Sequence, residues 1–89
     1  MKRYYVVCQG RVQGVGFRYF CLMNATKYNL TGWVHNMSNG MVEMEVQGEE
    51  SNLDKFLIEV RKGTYFVRVD DMSIKPKEVI PDEKKFKVK

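Results

Sequence analysis

The chain has 89 residues, which is enough for one domain with a modest core and too few for a second. Hydrophobic residues make up 44% of it, and no apolar run approaches the roughly 20 residues that span a bilayer, so the composition predicts a globular protein with no membrane partner. A net charge of +4, from 15 basic and 11 acidic side chains, favours an anionic ligand but does not by itself indicate nucleic acid.

The first part of the chain predicts a strand, a glycine-rich loop and a helix. Residues 4–8 are rich in aromatic and β-branched side chains, which is typical of a strand. Asn29 is suited to end the helix in a left-handed conformation. Apolar residues at three- and four-residue spacing predict the buried face of this helix: Phe17, Phe20, Cys21, Ala25 and Tyr28.

A hairpin is predicted next. Residues 30–36 form its first strand, and Ser38-Asn39-Gly40 is a strong turn signal. The returning strand is predicted from apolar residues that alternate with glutamates, and it closes at Gly48. Its apolar residues are Val42, Met44 and Val46.

The second helix is predicted to open with a capping box, because Ser51 is followed three residues later by Asp54. Gly63 is suited to its end. The apolar stripe of this helix consists of Leu53, Phe56, Leu57 and Val60.

The last part of the chain predicts two more strands. Alternating apolar residues from Val67 to Ile74 indicate the first, with a bulge near Asp70. Pro76 and Pro81 predict a loop before a short edge strand. The order β-α-β-β-α-β with an extra C-terminal edge strand predicts an α+β ferredoxin-like sandwich, in which two helices cover one face of an antiparallel sheet.

The loop after the first strand has the composition of an anion site. Gly10, Gly14 and Gly16 separate the strand from the helix, and Arg18 follows in the first helical turn. Glycines let main-chain N–H groups converge on an anion, and a guanidinium forks onto a phosphate-like group. The loop matches neither the P-loop nor the dinucleotide-binding motif, and Val12 stands where a cysteine phosphatase has its nucleophile.

Metal and cofactor sites are not predicted. Cys8, Cys21 and His35 lack the spacing of zinc ligands, and the cysteines are expected to be small buried side chains. The N-terminus enters a strand directly, without the layout of a signal peptide, which predicts a cytoplasmic location.

Two blocks of the sequence, residues 10–18 and 30–36, resemble the signature segments of the acylphosphatase family. They are Gly-Arg-Val-Gln-Gly-Val-Gly-Phe-Arg and Leu-Thr-Gly-Trp-Val-His-Asn. The likeness continues through Val46-Gln47-Gly48 and the second helix to the final Phe-Lys-Val strand, and so covers essentially the whole chain. It implies a single acylphosphatase-like domain over residues 1–89, with the same ferredoxin-like sandwich.

The resemblance implies an enzyme that hydrolyses acyl phosphates to carboxylate and inorganic phosphate, by direct attack of water and without a metal or other cofactor. Arg18 is implied to bind the phosphoryl oxygens and Asn36 to position the water. Inorganic phosphate is implied as product and competitive inhibitor, and a monomer is the default state. Further N–H donors to the phosphoryl group are implied from the loop residues Gln13, Gly14, Val15, Gly16 and Phe17.

The chain departs from the family pattern next to Asn36. Family members commonly carry a small hydroxyl residue where this chain has Met37, so a hydrogen bond that steadies Asn36 must come from elsewhere, with Ser38 as the candidate. His35 is expected to be exposed on the opposite face of the strand and to take no part in catalysis.

Two other functions stay open at this point. A phosphate-binding or regulatory module would keep the anion site without turnover. An RNA-recognition domain shares the sandwich and places aromatic residues on the open sheet face, where Tyr4, Tyr5 and Trp33 are candidates. Its Lys/Arg-Gly-Phe-Gly-Phe-type strand is absent from the sequence.

Overall fold

Strand-forming segments of the chain assemble into one sheet, and two helices cover one of its faces. The computed structural model describes residues 1–89. The sheet has the strand order β4-β1-β3-β2-β5, and the helices pack against it and against each other. Neither helix is long and apolar enough to cross a membrane. The elements are, in chain order, β1 (Lys2–Arg11), α1 (Phe17–Lys27), β2 (Thr31–Asn36), β3 (Val42–Gly48), α2 (Glu50–Lys62), β4 (Arg68–Lys77) and β5 (Phe86–Val88).

The predicted ferredoxin-like sandwich is confirmed, with one difference in strand direction. The first four strands pair antiparallel, whereas β5 pairs parallel with β2 at the sheet edge. β4 finishes at the end of the sheet where β2 begins, and the following connection crosses to the opposite edge. Because β5 enters from that end, it runs in the direction of β2, and the sheet is mixed instead of wholly antiparallel.

Several predicted boundaries are confirmed. Asn29 follows α1 with a left-handed φ of 55°. Gly63 directly follows the last residue of α2. The register between β1 and β4 skips Asp70, which is the predicted bulge.

Two predictions at element ends are wrong. The second helix begins at Glu50 directly after the extended residue Glu49, and no side chain caps it. Ser51 therefore lies inside the first turn and forms no capping box with Asp54. Pro76 lies within β4 and not in a loop. Because β4 is an edge strand, a residue without an N–H is tolerated there.

The core lies between the sheet and the two helices. Val6, Met44 and Val34 are in register across the central strands and are fully buried. Cys8 and Cys21 belong to the same core and are free thiols. Their predicted role as small buried side chains is confirmed.

On the opposite face of the sheet, Arg3 forms a buried polar cluster. Its side chain is 1% exposed and donates hydrogen bonds to Glu45, Gln47 and Glu83. The Gln47 amide also exchanges two hydrogen bonds with the main chain of Ile80. These contacts hold the β4–β5 connection on the sheet and thereby fix the position of β5.

Candidate active site

A cleft of about 420 Å³ opens at the end of the sheet where β1 and β2 end. It lies between the glycine-rich loop, the first turns of α1 and the ends of β2 and β5. Arg18 and Asn36, the two residues predicted to act in catalysis, both line it. The full lining is Val12, Gly14, Gly16, Phe17, Arg18, Tyr19, Leu22, Asn36 and Val88.

The loop enters α1 through left-handed glycines. Gly14 has a φ of 72°, and Gly16, which is the N-cap residue, has a φ of 80°. No side chain caps the helix, and its first turn contains no acidic residue. The first intrahelical hydrogen bond joins the Phe20 amide to the Gly16 carbonyl. The N–H groups before Phe20 therefore have no helical partner and are available to an anion.

The Gln13 side chain is directed away from the cleft. Its amide nitrogen donates to the main-chain oxygens of Met37, at 2.7 Å, and Met41, at 2.8 Å. Neither Gln13 nor Val15 lines the cleft, whereas the other three predicted loop residues do. The side chains of Gln13 and Val15 therefore do not reach a ligand in the cleft, and only their main-chain N–H groups are candidates for phosphate binding.

Arg18 lies half-buried in the cleft, in the first turn of α1. Its Nη1 donates a hydrogen bond of 2.6 Å to the main-chain oxygen of Lys89. This bond orients the guanidinium and leaves its other N–H donors for a ligand. A cation at a helix N-terminus is unfavourably placed unless an anion binds beside it, so the position of Arg18 favours an anionic ligand.

Asn36 is the last residue of β2, and its register with Val42 places it on the helix-covered face. Its side-chain oxygen, Oδ1, is buried and has no hydrogen-bond partner. The predicted replacement bond from Ser38 is therefore not made to this atom. Buried polar oxygens nearly always have a partner, so this one indicates a place for a water molecule or a ligand group.

The comparison with known families agrees with this geometry. A family model described as Acylphosphatase matches residues 4–88. The chain belongs to the acylphosphatase family. Acylphosphatases are hydrolases, so membership of this family identifies the chain as an enzyme.

Similar acylphosphatases match almost the full chain. The one from Geobacillus kaustophilus is 54% identical over 88 residues, which are 99% of this chain and 94% of that protein. The one from Clostridium beijerinckii is 51% identical over 89 residues, covering 100% and 99%. The crystal structure of acylphosphatase from Bacillus subtilis superposes with a TM-score of 0.93 at 40% identity, covering 99% of this chain and 98% of that one.

The acylphosphatase fold also occurs within larger proteins. A crystal structure of full-length HypF in the phosphate- and nucleotide-bound form matches 98% of this chain and 11% of its own length, with a TM-score of 0.87 and 37% identity. A bacterial light-regulated adenylyl cyclase matches with a TM-score of 0.69 at 17% identity and shares the fold alone.

The thiols of this acylphosphatase lie outside the cleft and are held protonated. Burial raises the pKa of Cys8 to about 12, and it raises the pKa of Cys21 well above its ordinary value. Thiolates, not thiols, are the nucleophilic form. Neither cysteine is therefore suited to attack a substrate.

His35 lies exposed on the face opposite Asn36, as predicted. Its Nδ1 is 2.9 Å from Glu43 Oε2, and the Tyr5 hydroxyl donates to Glu43 Oε1 at 2.7 Å. These two hydrogen bonds hold the pKa of Glu43 below its usual range, and the bond to Glu43 raises the pKa of Tyr5. This chain of contacts is separate from the cleft.

The open sheet face lacks the features of an RNA platform. Tyr4 is in register with the buried Val46 and packs against the core, so it is not on that face. Tyr5 and Trp33 are on it, but Glu45 is in register with both and lies between them. A carboxylate at this position opposes binding of an RNA backbone, so the alternative of an RNA-recognition domain is not favoured.

Four apolar residues of the cleft were not predicted as site residues, and one of them, Val12, directly follows β1. Tyr19 and Leu22 lie on α1, and Val88 lies on β5. For Tyr19 and Leu22, the sequence did contain a signal. The two residues lie one helical turn apart, Tyr19 directly follows Arg18, and both lie outside the buried stripe of α1.

Proposed function

We propose that this acylphosphatase hydrolyses the carboxyl–phosphate bond of acyl phosphates by direct attack of water. The observation that carries the proposal is the unpartnered Oδ1 of Asn36, in the same cleft as the guanidinium of Arg18. A cationic fork and a buried acceptor in one cleft fit a phosphoryl group and one water molecule.

The phosphoryl group binds at the start of α1. Main-chain N–H groups of the loop and first turn, from Gln13 to Phe17, surround its oxygens, and the helix dipole favours its negative charge. Arg18 donates to two of its oxygens with the N–H groups not directed at Lys89. Most of the work of the protein is positioning and charge stabilisation, as in other phosphoryl transfers.

Asn36 orients the attacking water. Its Oδ1 accepts a hydrogen bond from the water, on the side of the phosphorus opposite the acyl oxygen. The bond between the water oxygen and phosphorus forms while the bond between phosphorus and the acyl oxygen breaks, and that electron pair leaves with the carboxylate. The proton of the water passes to a phosphoryl oxygen of the substrate, so no protein base is used.

No protein acid is required for the leaving group. A carboxylate whose conjugate acid has a pKa of roughly 4 departs without protonation at neutral pH. The cleft lining contains no histidine, cysteine or carboxylate side chain, so it lacks the usual ligands of a catalytic metal ion, and the phenol of Tyr19 is the one side chain in it that could act as a general acid. We therefore propose turnover without a metal.

The experiment is a hydrolysis assay on benzoyl phosphate with excess chelator present and inorganic phosphate as competitor. The proposal predicts chelator-resistant turnover and competitive inhibition by phosphate, which is a product. Phosphate binding without turnover would instead identify a phosphate-binding module.

The predicted cytoplasmic location and monomeric state stay predictions.

A further inference from the structure

The cleft has an apolar half that the phosphoryl group and the water leave unused. Tyr19 and Leu22 form it from α1, and Val88 forms it from β5. We propose that these three residues bind the acyl group of the substrate and select acyl phosphates whose acyl group is apolar. The inference rests on the proposed function and names the substrate class for that site.

The apolar half is open to solvent. Val88 is in register with the buried Val34 and so lies on the helix-covered side of the sheet, yet it is 44% exposed. Tyr19 is 64% exposed although it follows a residue of the anion site. Leu22, the third residue of this apolar half, is half-buried. An apolar group that covers these side chains removes hydrocarbon surface from water and is bound favourably.

The chemistry of an acyl phosphate places its acyl group at this wall. A single oxygen atom joins the acyl carbon to phosphorus, so the acyl group lies directly beside the bound phosphoryl group. The cleft volume of about 420 Å³ falls within the roughly 300–1,000 Å³ of sites that bind whole small molecules, which leaves room beyond the phosphoryl group. On the other side, Val12 and Phe17 are buried in the core and bound the cleft.

The charge of the lining favours uncharged acyl groups over charged ones. Arg18 is the one charged residue in it, and in the proposed function its guanidinium binds the phosphoryl oxygens. A free carboxylate on the acyl group finds no second cation in the lining, so whatever hydration it loses there is uncompensated. An aromatic acyl group, in contrast, can pack against the ring of Tyr19 and the branched side chain of Val88.

The test compares kcat/KM for benzoyl phosphate and acetyl phosphate in the wild type, Tyr19→Ser and Val88→Thr. Met23→Ser is the matched control, because Met23 is 54% exposed on the same helix but does not line the cleft. For the two cleft variants, we expect kcat/KM to fall about tenfold for benzoyl phosphate and to stay within about twofold for acetyl phosphate. Met23→Ser should change neither value, and inhibition by inorganic phosphate should be the same in all four proteins.

A binding measurement makes the test independent of turnover. By calorimetry, phenylphosphonate should bind the wild type more tightly than methylphosphonate, and Tyr19→Ser should remove most of that difference. Equal losses on both acyl phosphates, or no loss on benzoyl phosphate, would overturn the inference while the proposed function stands. Hydrolysis of neither compound by the wild type would overturn both.

Discussion

The side-chain amide of Gln13 donates a hydrogen bond of 2.7 Å to the main-chain oxygen of Met37. Met37 directly follows Asn36, so this contact ties the glycine-rich loop to the residue beside the proposed water-positioning group. The same nitrogen donates a second hydrogen bond to the main-chain oxygen of Met41, which connects the loop to the other side of the β2–β3 hairpin as well. The glycine-rich loop and the β2–β3 hairpin, which lie on two sides of the cleft, are therefore joined by one half-buried amide group.

Gln13→Glu should impair the enzyme more than Gln13→Ala. A carboxylate would face the oxygens of Met37 and Met41 without a hydrogen to donate, whereas alanine only removes the two bonds. We expect kcat/KM to fall roughly tenfold in Gln13→Ala and further in Gln13→Glu. The midpoint temperature of thermal unfolding should also fall less in Gln13→Ala than in Gln13→Glu. Equal activity in both variants and the wild type would show that the contact does not position the site.

Asn36→Ala should separate stability from catalysis. The replacement removes a buried oxygen that has no partner in the free protein, so the free energy of unfolding should be unchanged or rise by about 1 kcal/mol. The water-orienting bond is lost, and kcat should fall by about 10² or more. Calorimetry should find phosphate affinity little changed, because Asn36 contributes no charge.

The opposite outcomes would assign Asn36 another role. If Asn36→Ala keeps kcat but loses phosphate binding, the residue holds the anion and not the water. A large loss of stability with normal kcat would identify a structural residue whose oxygen is satisfied by an internal water molecule.

Arg3→Met should destabilise the fold without changing the chemistry. The substitution leaves Glu45 and Glu83 without their buried cation, and we expect the free energy of unfolding to fall by about 2 to 3 kcal/mol. This loss is smaller than that for a fully buried ion pair, because the two carboxylates are 17% and 18% exposed. Urea unfolding measures the effect. Arg68→Met is the matched control, since its guanidinium pairs with Asp70 at the exposed surface, and its unfolding midpoint should stay near that of the wild type.

The same cluster should make stability depend on acid. Burial opposes ionisation of Glu83, but the Arg3 hydrogen bond and charge prevail and lower the pKa of that carboxyl. A lowered pKa stabilises the folded state above the unfolded value of about 4.3, and this contribution is lost as pH falls through the folded pKa. Wild-type stability should therefore decline below about pH 4 more steeply than that of Glu83→Gln, when both are followed by urea unfolding. If the stabilities of the wild type and Glu83→Gln decline in parallel, the Arg3–Glu83 pair is not a cause of the acid sensitivity.

Local patterns in the sequence predicted most of the fold. The period-two and helical spacings gave the elements, Asn29 and Gly63 marked helix ends, and the broken alternation near Asp70 marked a bulge. The direction of β5 was not predictable in this way, because it depends on where the β4–β5 connection crosses the sheet. Long-range contacts of Arg3 and Gln47 hold that connection, and no local pattern encodes them.

The site was predictable where residue type determines chemistry. Glycines before an arginine predict an anion site from local conformation and charge alone, whereas Asn36 was predicted only from the family resemblance; both Arg18 and Asn36 line one cleft. Two features depend on packing and could not be predicted: the Gln13 side chain crosses to the hairpin, and Val88 comes beside α1 only after β5 docks on β2. The unpartnered oxygen of Asn36 is likewise visible only when all its neighbours are known.

The assignment of this cleft as the active site is tested most directly by the turnover of benzoyl phosphate in Arg18→Ala and Arg18→Lys, with circular dichroism to verify folding. Alanine should lower kcat/KM by about 10³-fold or more and weaken phosphate binding. Lysine should also fail, because a point charge does not reproduce the fork. Hydrolysis by a folded Arg18→Ala protein within a few-fold of the wild-type rate would contradict the assignment of this cleft as the active site.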